Sequence, residues 1–315
     1  MDVTHKSYEN MLIHAPSRQW EGDPYEIARY EATSEPPTFS IVIPIFNQES
    51  IIYENLMRVL QLTAGTYEMI LILDGCTDGS RDKILQWLTT TRLPPTLYLV
   101  RVIESRSEMF ETSCDNLGFV LSRGTYIIEI QCDMRIQQRD YNIYLTTPLE
   151  IYSDMIAVSG RCCHDINYVT PGFIVGKYGH ALTHDVPLDN HVYLSHTVNR
   201  GPIAFRKTML KTLGYLDEAN YVLGDDDHDL FARAWCQYKW RTGFVPIEYE
   251  SPLDWGSSRK PKSDEIVSYI KRRHTGQGFF SQHRSTIIYP LSEIRLMSPF
   301  RVAVTHARLG LRTLV

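Results

Sequence analysis

The sequence predicts an α/β fold, a mainly parallel sheet with helices on both faces. Two short apolar runs, "FSIVIPIF" from Phe39 and "YEMILILD" over 67–74, flank a helix-like segment over Glu49–Leu62, and together they read as a βαβ unit. The runs are apolar throughout rather than alternating, the pattern of strands buried on both faces. Helical and strand-like segments then keep alternating downstream, which is how a parallel sheet is threaded.

Taken in order, residues 1–37 are polar and proline-punctuated and read as an extended arm on the surface. After the βαβ unit, "RDKILQWL" reads as a helix, "LYLVRVIE" as the third strand, "CDNLGFVLSRG" as a helix ending at Gly124, and "TYIIEIQCD" as the fourth strand. In such sheets ligands sit at the carboxyl ends of the strands, where Asp74 and Asp133 fall. Beyond Ile136 the character changes. Residues 160–200 are rich in His, Asn, Tyr, Gly and Pro, a loop composition, and a long loop inside a compact domain is more often functional than idle. "FARAWCQYKW" reads as helical, "TGFVPIEYE" as strand-like and "WGSSRKPKS" as a linker. The C-terminal "SPFRVAVTHARLGLRTLV" wraps as an amphipathic helix, with Phe300, Val304, Ala307, Leu311 and Leu314 on one side and Arg301, Arg308 and Arg312 beside it. That face fits the protein's own core, a second subunit in a homodimer, or peripheral contact with an anionic membrane. The expected organisation is an arm over 1–37, a main domain over 38–250 with halves at 38–135 and 136–250, and an extension over 251–315.

Composition bounds the function. The 315 residues are 43% hydrophobic and 22% charged, with a formal charge of -5, so no global attraction to nucleic acid is expected and an anionic ligand must be held locally. No run approaches the ~18 to 20 apolar residues of a membrane helix, and "MDVTHKSYEN" lacks the design of a signal peptide, so a cytoplasmic protein is expected, membrane-associated at most through its C-terminal helix. The six cysteines, Cys76, Cys114, Cys132, Cys162, Cys163 and Cys236, show no CxxC zinc spacing and read as reduced structural thiols.

The densest chemistry lies in "GDDDHDL", where residues 224–230 hold four carboxylates and an imidazole. A helix starting near Asp226 or Asp227 would offset charge by about 0.3 to 1 kcal/mol per group, too little for four. Repulsion is therefore expected to raise at least one carboxyl pKa towards the range of a general base. Asp225, Asp227 and Asp229 have calcium-loop spacing, but Leu230 stands where that loop needs Gly and Cys236 where it needs Glu. Arg233 can pair with Asp229 at helical spacing.

Five motifs in order resemble the family 2 glycosyltransferases, the inverting, nucleotide-sugar-dependent family with the GT-A fold. "SIVIPIFNQES" resembles the family's first strand and "ILILDGCTDGS" its second. "DNLGFVLSRGTYI" is similar to the helix and strand before the metal motif, "QCDM" stands at the Asp-x-Asp, and "GYLDEANYVLGDDDHDLFARA" follows the stretch ending in Glu-Asp-x-Asp-Leu-x-x-Arg. Leu73 and Gln131 replace the first aspartates of the second and metal motifs.

The resemblance implies a GT-A type, Rossmann-like sheet and a set of roles. Asp227 would be the general base, with Asp226 orienting it or holding the acceptor. Pro44, Phe46, Asp74, Gln131, Cys132 and Asp133 would line the nucleotide-sugar site, with Asn116 near the nucleotide. Asp133 would bind Mn2+ or Mg2+, which bridges the donor phosphates, and His274 would complete the metal shell. Arg106 carries a guanidinium suited to a diphosphate, although a single loop arginine is more often just solvated. Asp133 after a strand and Asp74 before Gly75 are also ordinary turn signals. The implied partners are a nucleotide-sugar donor, UDP-linked by preference, and a glycan or glycoconjugate acceptor. Without a Gln-x-x-Arg-Trp signature, transfer of single sugars is expected. A sugar nucleotidyltransferase would need a Gly-rich basic loop where the chain has "PIFNQES", and a catalytically silent sugar- or partner-binding relative is the other alternative.

Overall fold

The computed structural model describes residues 23–32, 36–160, 191–195, 197–245, 247–252, 254–256, 262–287 and 293–296. The 161–190 loop and the C-terminal amphipathic helix lie outside the described residues, as do Cys162 and Cys163. The chain runs through β1 (Tyr25–Glu31), β2 (Phe39–Ile45), α1 (Ile52–Leu62), β3 (Tyr67–Asp74), α2 (Ser80–Thr90), β4 (Leu97–Ser105), α3 (Phe110–Leu121) and β5 (Tyr126–Glu129). There follow β6 (Arg135–Ile136), α4 (Tyr141–Ile151), β7 (Met155–Ser159), β8 (His191–Ser195), β9 (Ile203–Arg206), α5 (Lys207–Thr212) and α6 (Asp226–Tyr238). The last elements are β10 (Arg241–Phe244), β11 (Tyr249–Glu250), α7 (Asp264–Arg273), α8 (Phe279–His283) and β12 (Glu293–Leu296).

Ten strands form one sheet in the order β1-β4-β3-β2-β5-β9-β7-β10-β8-β12. Seven point the same way and β1, β8 and β9 run against them, so the sheet is mainly parallel. After β2 the chain steps outward through β3 and β4 and returns to the other side of β2 as β5. The strand order thus reverses between β2 and β5, the place where doubly wound sheets open a crevice.

Alternate residues of each buried strand enter two cores. Ile41, Ile43, Ile45, Met69, Leu71 and Leu73 pack with α1 and α2 on one face, while Val42, Ile70 and Ile72 pack with α3 and α6 on the other. Continuous apolar runs are the consequence of that double covering. Helix α3 crosses β2 so closely that a Cβ on Gly118 would stand 2.2 Å from Val42 Cγ1.

Two boundaries differ from the sequence reading. Residues 25–31, read as part of the surface arm, form the edge strand β1, antiparallel to β4 and tied to it by a buried Glu26–Arg101 ion pair of 2.6 Å. Residues 293–296, read as part of the extension, pair with β8 at the opposite edge. "TGFVPIEYE" divides into β10 and β11, which belong to different sheets. A polar, proline-rich sequence conceals an edge strand because only part of it is buried.

Candidate active site

The carboxyl ends of β2, β3 and β5 open into a cavity of about 360 Å³. Pro44, Phe46 and Asn47 enter from β2, Asp74 from β3, and Gln131, Cys132 and Asp133 from the end of β5. Glu108, Phe110 and Glu111 enter from the start of α3, Leu223 from the segment before α6, and Lys262, Ser263 and Ile266 from α7. Six residues expected at a nucleotide-sugar site therefore share one cavity. The wall built by α7 was not foreseen, although Ser263 at its N-cap, Asp264 and Glu265 in its first turn and Lys271–Arg273 in its last are a readable helix signature. Ser263 Oγ accepts from Ile266 N at 3.3 Å, and Tyr269 stacks on Phe110 at 5.1 Å, which sets the helix against the cavity.

Asp74 is buried and both of its oxygens accept amide N–H groups at the start of α3, from Met109 and from Phe110, the latter at 3.0 Å. Burial raises its pKa to about 6 against the lowering effect of those amides. Its structural task is to satisfy α3's first donors while its edge lines the cavity. Gln131 Nε2 donates to Glu111 Oε1 at 2.6 Å, and the Cys132 carbonyl accepts from Asn55 Nδ2 at 2.8 Å. Asp133 is 7% exposed at the cavity wall.

Three residues expected at the donor or metal are not brought to the cavity, and neither Asp226 nor Asp227 of α6 is among the residues that line it. Arg106 is solvated, 3.6 Å from Asp23, with its guanidinium over the Tyr25 ring. Asn116 is buried and bridges α3 to the segment before α6, donating to Leu216 O and accepting from Leu216 N, each at 2.9 Å. His274 follows α7 with its ring edge-on to Tyr221 at 5.7 Å and does not join Asp133. For Arg106 the cause is exposure on a loop; for the other two it is side-chain packing. A motif position does not determine either.

The acidic stretch folds as expected into the start of α6 at Asp226, and Arg233 Nε pairs with Asp229 Oδ2 at 2.7 Å. Its two candidate catalytic carboxylates have separated. Asp226 is fully buried, accepting from Thr112 Oγ1 at 2.5 Å and pairing with Arg200 Nη2 at 3.0 Å. Burial, opposed by Arg200 and reinforced by Asp227, raises its pKa to about 6. Asp227 retains 15% side-chain exposure and lies 3.3 Å from His228 Nδ1. Burial pushes it upward, but the hydrogen bond and charge of His228, aided by Arg200, hold it below its ordinary value. The raised carboxyl is thus Asp226, shifted by burial first and by its neighbour Asp227 only second, and it is sealed, while the one left within reach is lowered.

Arg200 also pairs with Asp115 and with Glu111, the latter at 3.3 Å, so a buried cluster links the cavity wall at Glu111 to Asp226. Glu129, at the end of β5, completes it, with burial raising its pKa to about 8. Sequence reasoning missed Glu111, Asp115, Glu129 and Arg200. Only Glu129 carried a signal, as a carboxylate inside the apolar run "YIIEI".

Residues 40–141 match the family model described as Glycosyl transferase family 2. That segment of the chain is similar to the family 2 glycosyltransferases. A comparison with curated proteins gives no match. Among solved structures, the mannosyltransferase PcManGT from Pyrobaculum calidifontis, in complex with GDP-Man and Mn2+, aligns at a TM-score of 0.52 and 15% identity, over 96% of this chain and 76% of that one. TarS 1–349 of S. aureus, in complex with UDP, aligns at 0.48 and 13% identity, over 79% and 72%. The likeness to PcManGT shows the expected GT-A fold, and the segment that matches the family model runs from β2 to the start of α4. Asp74, Gln131 and Asp133 lie inside that segment; α6 lies outside it. No described helix is long and apolar enough to cross a membrane.

Proposed function

We propose that the protein is a metal-assisted, inverting glycosyltransferase that moves a sugar from a nucleotide-sugar donor, UDP-linked by preference, to a hydroxyl of a glycan or glycoconjugate. The observation that supports this reading is the cavity at the switch point, where the ends of β2, β3 and β5 converge on one small-ligand space. Phe46, Phe110 and Ile266 offer apolar surface for a nucleobase, and Lys262 offers a cation near the phosphates. Because PcManGT is described with GDP-Man, a guanosine donor belongs in the test panel beside UDP-sugars.

Asp133 is the residue to hold Mn2+ or Mg2+. Its single carboxylate on the cavity wall fits a hard cation that takes the rest of its ligands from water and donor phosphates. Such a cation, when bound, stabilises the charge that develops on the departing diphosphate. Asp227 accepts the proton of the acceptor hydroxyl, since Asp226 is sealed against Thr112 and Arg200. A lowered pKa keeps Asp227 ionised at neutral pH at some cost in basicity.

Nucleoside diphosphate release from a panel of UDP- and GDP-sugars with Mn2+ tests the reading, with the anomeric configuration of the product read by NMR. Turnover lost in Asp133→Asn and an inverted product are expected. Glycan binding without diphosphate release from any donor would identify a catalytically silent relative instead, the alternative favoured by Gln131 at the Asp-x-Asp.

A further inference from the structure

We infer that Glu111, Asp115 and Glu129 form a binding site for a hard divalent cation, separate from Asp133 and behind the cavity wall. One oxygen from each of the three lies within 4.8 Å of the others. Metal–oxygen distances of about 2.0 to 2.6 Å place the ligands of one ion on the order of 3 to 5 Å apart, so the three oxygens have the spacing of a shared ion. An all-carboxylate set selects magnesium, manganese or calcium over softer metals.

Acidic residues gather at many places without binding anything, and the deciding feature here is Glu129. It is fully buried, and neither of its oxygens has a hydrogen-bond partner among the described residues. Strand alternation turns it to the α3 face, where Ile127 sits in the second core and where Glu111 and Asp115 face it from the helix. A buried carboxylate with no donor is strongly disfavoured unless a proton or a cation compensates it.

The nearby guanidinium does not meet that need. Arg200 engages Asp115 Oδ2, Glu111 Oε1 and Asp226 Oδ2, and Gln131 also donates to Glu111 Oε1. Asp115 Oδ1, like both oxygens of Glu129, is buried and has no hydrogen-bond partner among the described residues. Four carboxylates surround one guanidinium, and the oxygens it leaves over belong to the triad. Glu111, half-buried and on the cavity wall, is the entry point. A cation there would fix the carboxylates that hold Arg200, and through Arg200 the buried Asp226.

The inference does not depend on glycosyl transfer, and its test uses no donor. Mn2+ titrated into metal-free full-length protein, followed by the loss of the free-ion EPR signal and by thermal shift, is compared across the wild type, Asp133→Asn and Glu129→Gln. The expected result is one nucleotide-independent Mn2+ per chain, kept in Asp133→Asn and lost in Glu129→Gln. If Glu129→Gln does not fold, Glu111→Gln at the half-buried edge replaces it and should weaken binding at least about tenfold. Absence of nucleotide-independent binding in the wild type, or binding lost in Asp133→Asn and kept in the triad variants, overturns the site and leaves a cluster compensated by shared protons.

Discussion

Burial and a shared guanidinium give Asp226 and Asp227 opposite environments although they are neighbours in the chain. Asp226 points into the protein towards Thr112 and Arg200, whereas Asp227 stays within reach of solvent beside His228. If Asp227 takes the acceptor proton, Asp227→Asn should lower kcat by about 10²- to 10⁴-fold while leaving donor binding intact, read by steady-state kinetics and calorimetry with the donor. The His228 partnership has its own pH signature. Hydrogen bonding to Asp227 raises the imidazole above 6.5, so its stabilisation is complete below that value and disappears as pH rises through the higher folded pKa. Asp227 is shifted down from 3.8, so its share is complete above that value and is lost as pH falls through the lower folded pKa. The Tm difference between wild type and His228→Ala should therefore be widest between about pH 4 and 6.5 and shrink on both sides. A difference independent of pH would mean that the ring contributes only packing, such as its edge-on contact with Phe280.

Two helices show how element placement builds the cavity. Helix α3 is buried on nearly every side, and its closeness to β2 requires Gly118. Gly118→Ala would drive a methyl into Val42 and should cost about 1 to 3 kcal/mol, seen as a lower denaturation midpoint at constant m-value. Helix α7 is the contrary case, a wall of the cavity with no fully buried residue. Its start depends on Ser263, and Ser263→Ala should cost about 0.5 to 2 kcal/mol of that helix. Because α7 adds little to the core, the loss should appear as faster amide exchange over 264–273 and weaker donor binding, with the Tm nearly unchanged. The strands that build the cavity were legible because double burial writes them as unbroken apolar runs. Helix α7 was obscured by its amphipathic, highly charged surface and by the adjoining linker-like stretch.

At the scale of the whole molecule, the sheet draws its edges from segments that read as appendages. Strand β1 places Glu26 against the buried Arg101, and the pair fixes that edge against β4. Glu26→Ala should destabilise the protein by about 3 to 5 kcal/mol, whereas the double replacement Glu26→Leu with Arg101→Met should recover most of the loss. Equal effects of the single and double replacements in urea denaturation would show that the charge pair contributes little to the docking of β1. At the switch point between β2 and β5, Gly201, at φ +60°, lies so close to Gln131 that a Cβ there would approach its side chain to 2.7 Å. That contact brings the segment before β9, with Arg200, against the cavity wall.

The sequence by itself determined the layered α/β plan, the strand end at Asp74 and the start of α6, because periodicity and capping act over a few neighbouring residues, whereas β5 stops at Glu129 and leaves Asp133 in the turn beyond it. Only the tertiary structure decided that Asp226 is sealed, that Arg106 and Asn116 stand apart from the cavity, and that Arg200 gathers Glu111, Asp115 and Asp226 from distant parts of the chain. Charge and desolvation act through space. Spacing along the polypeptide shows which carboxylates are neighbours in sequence, but the distance between packed elements sets which of them share a counterion.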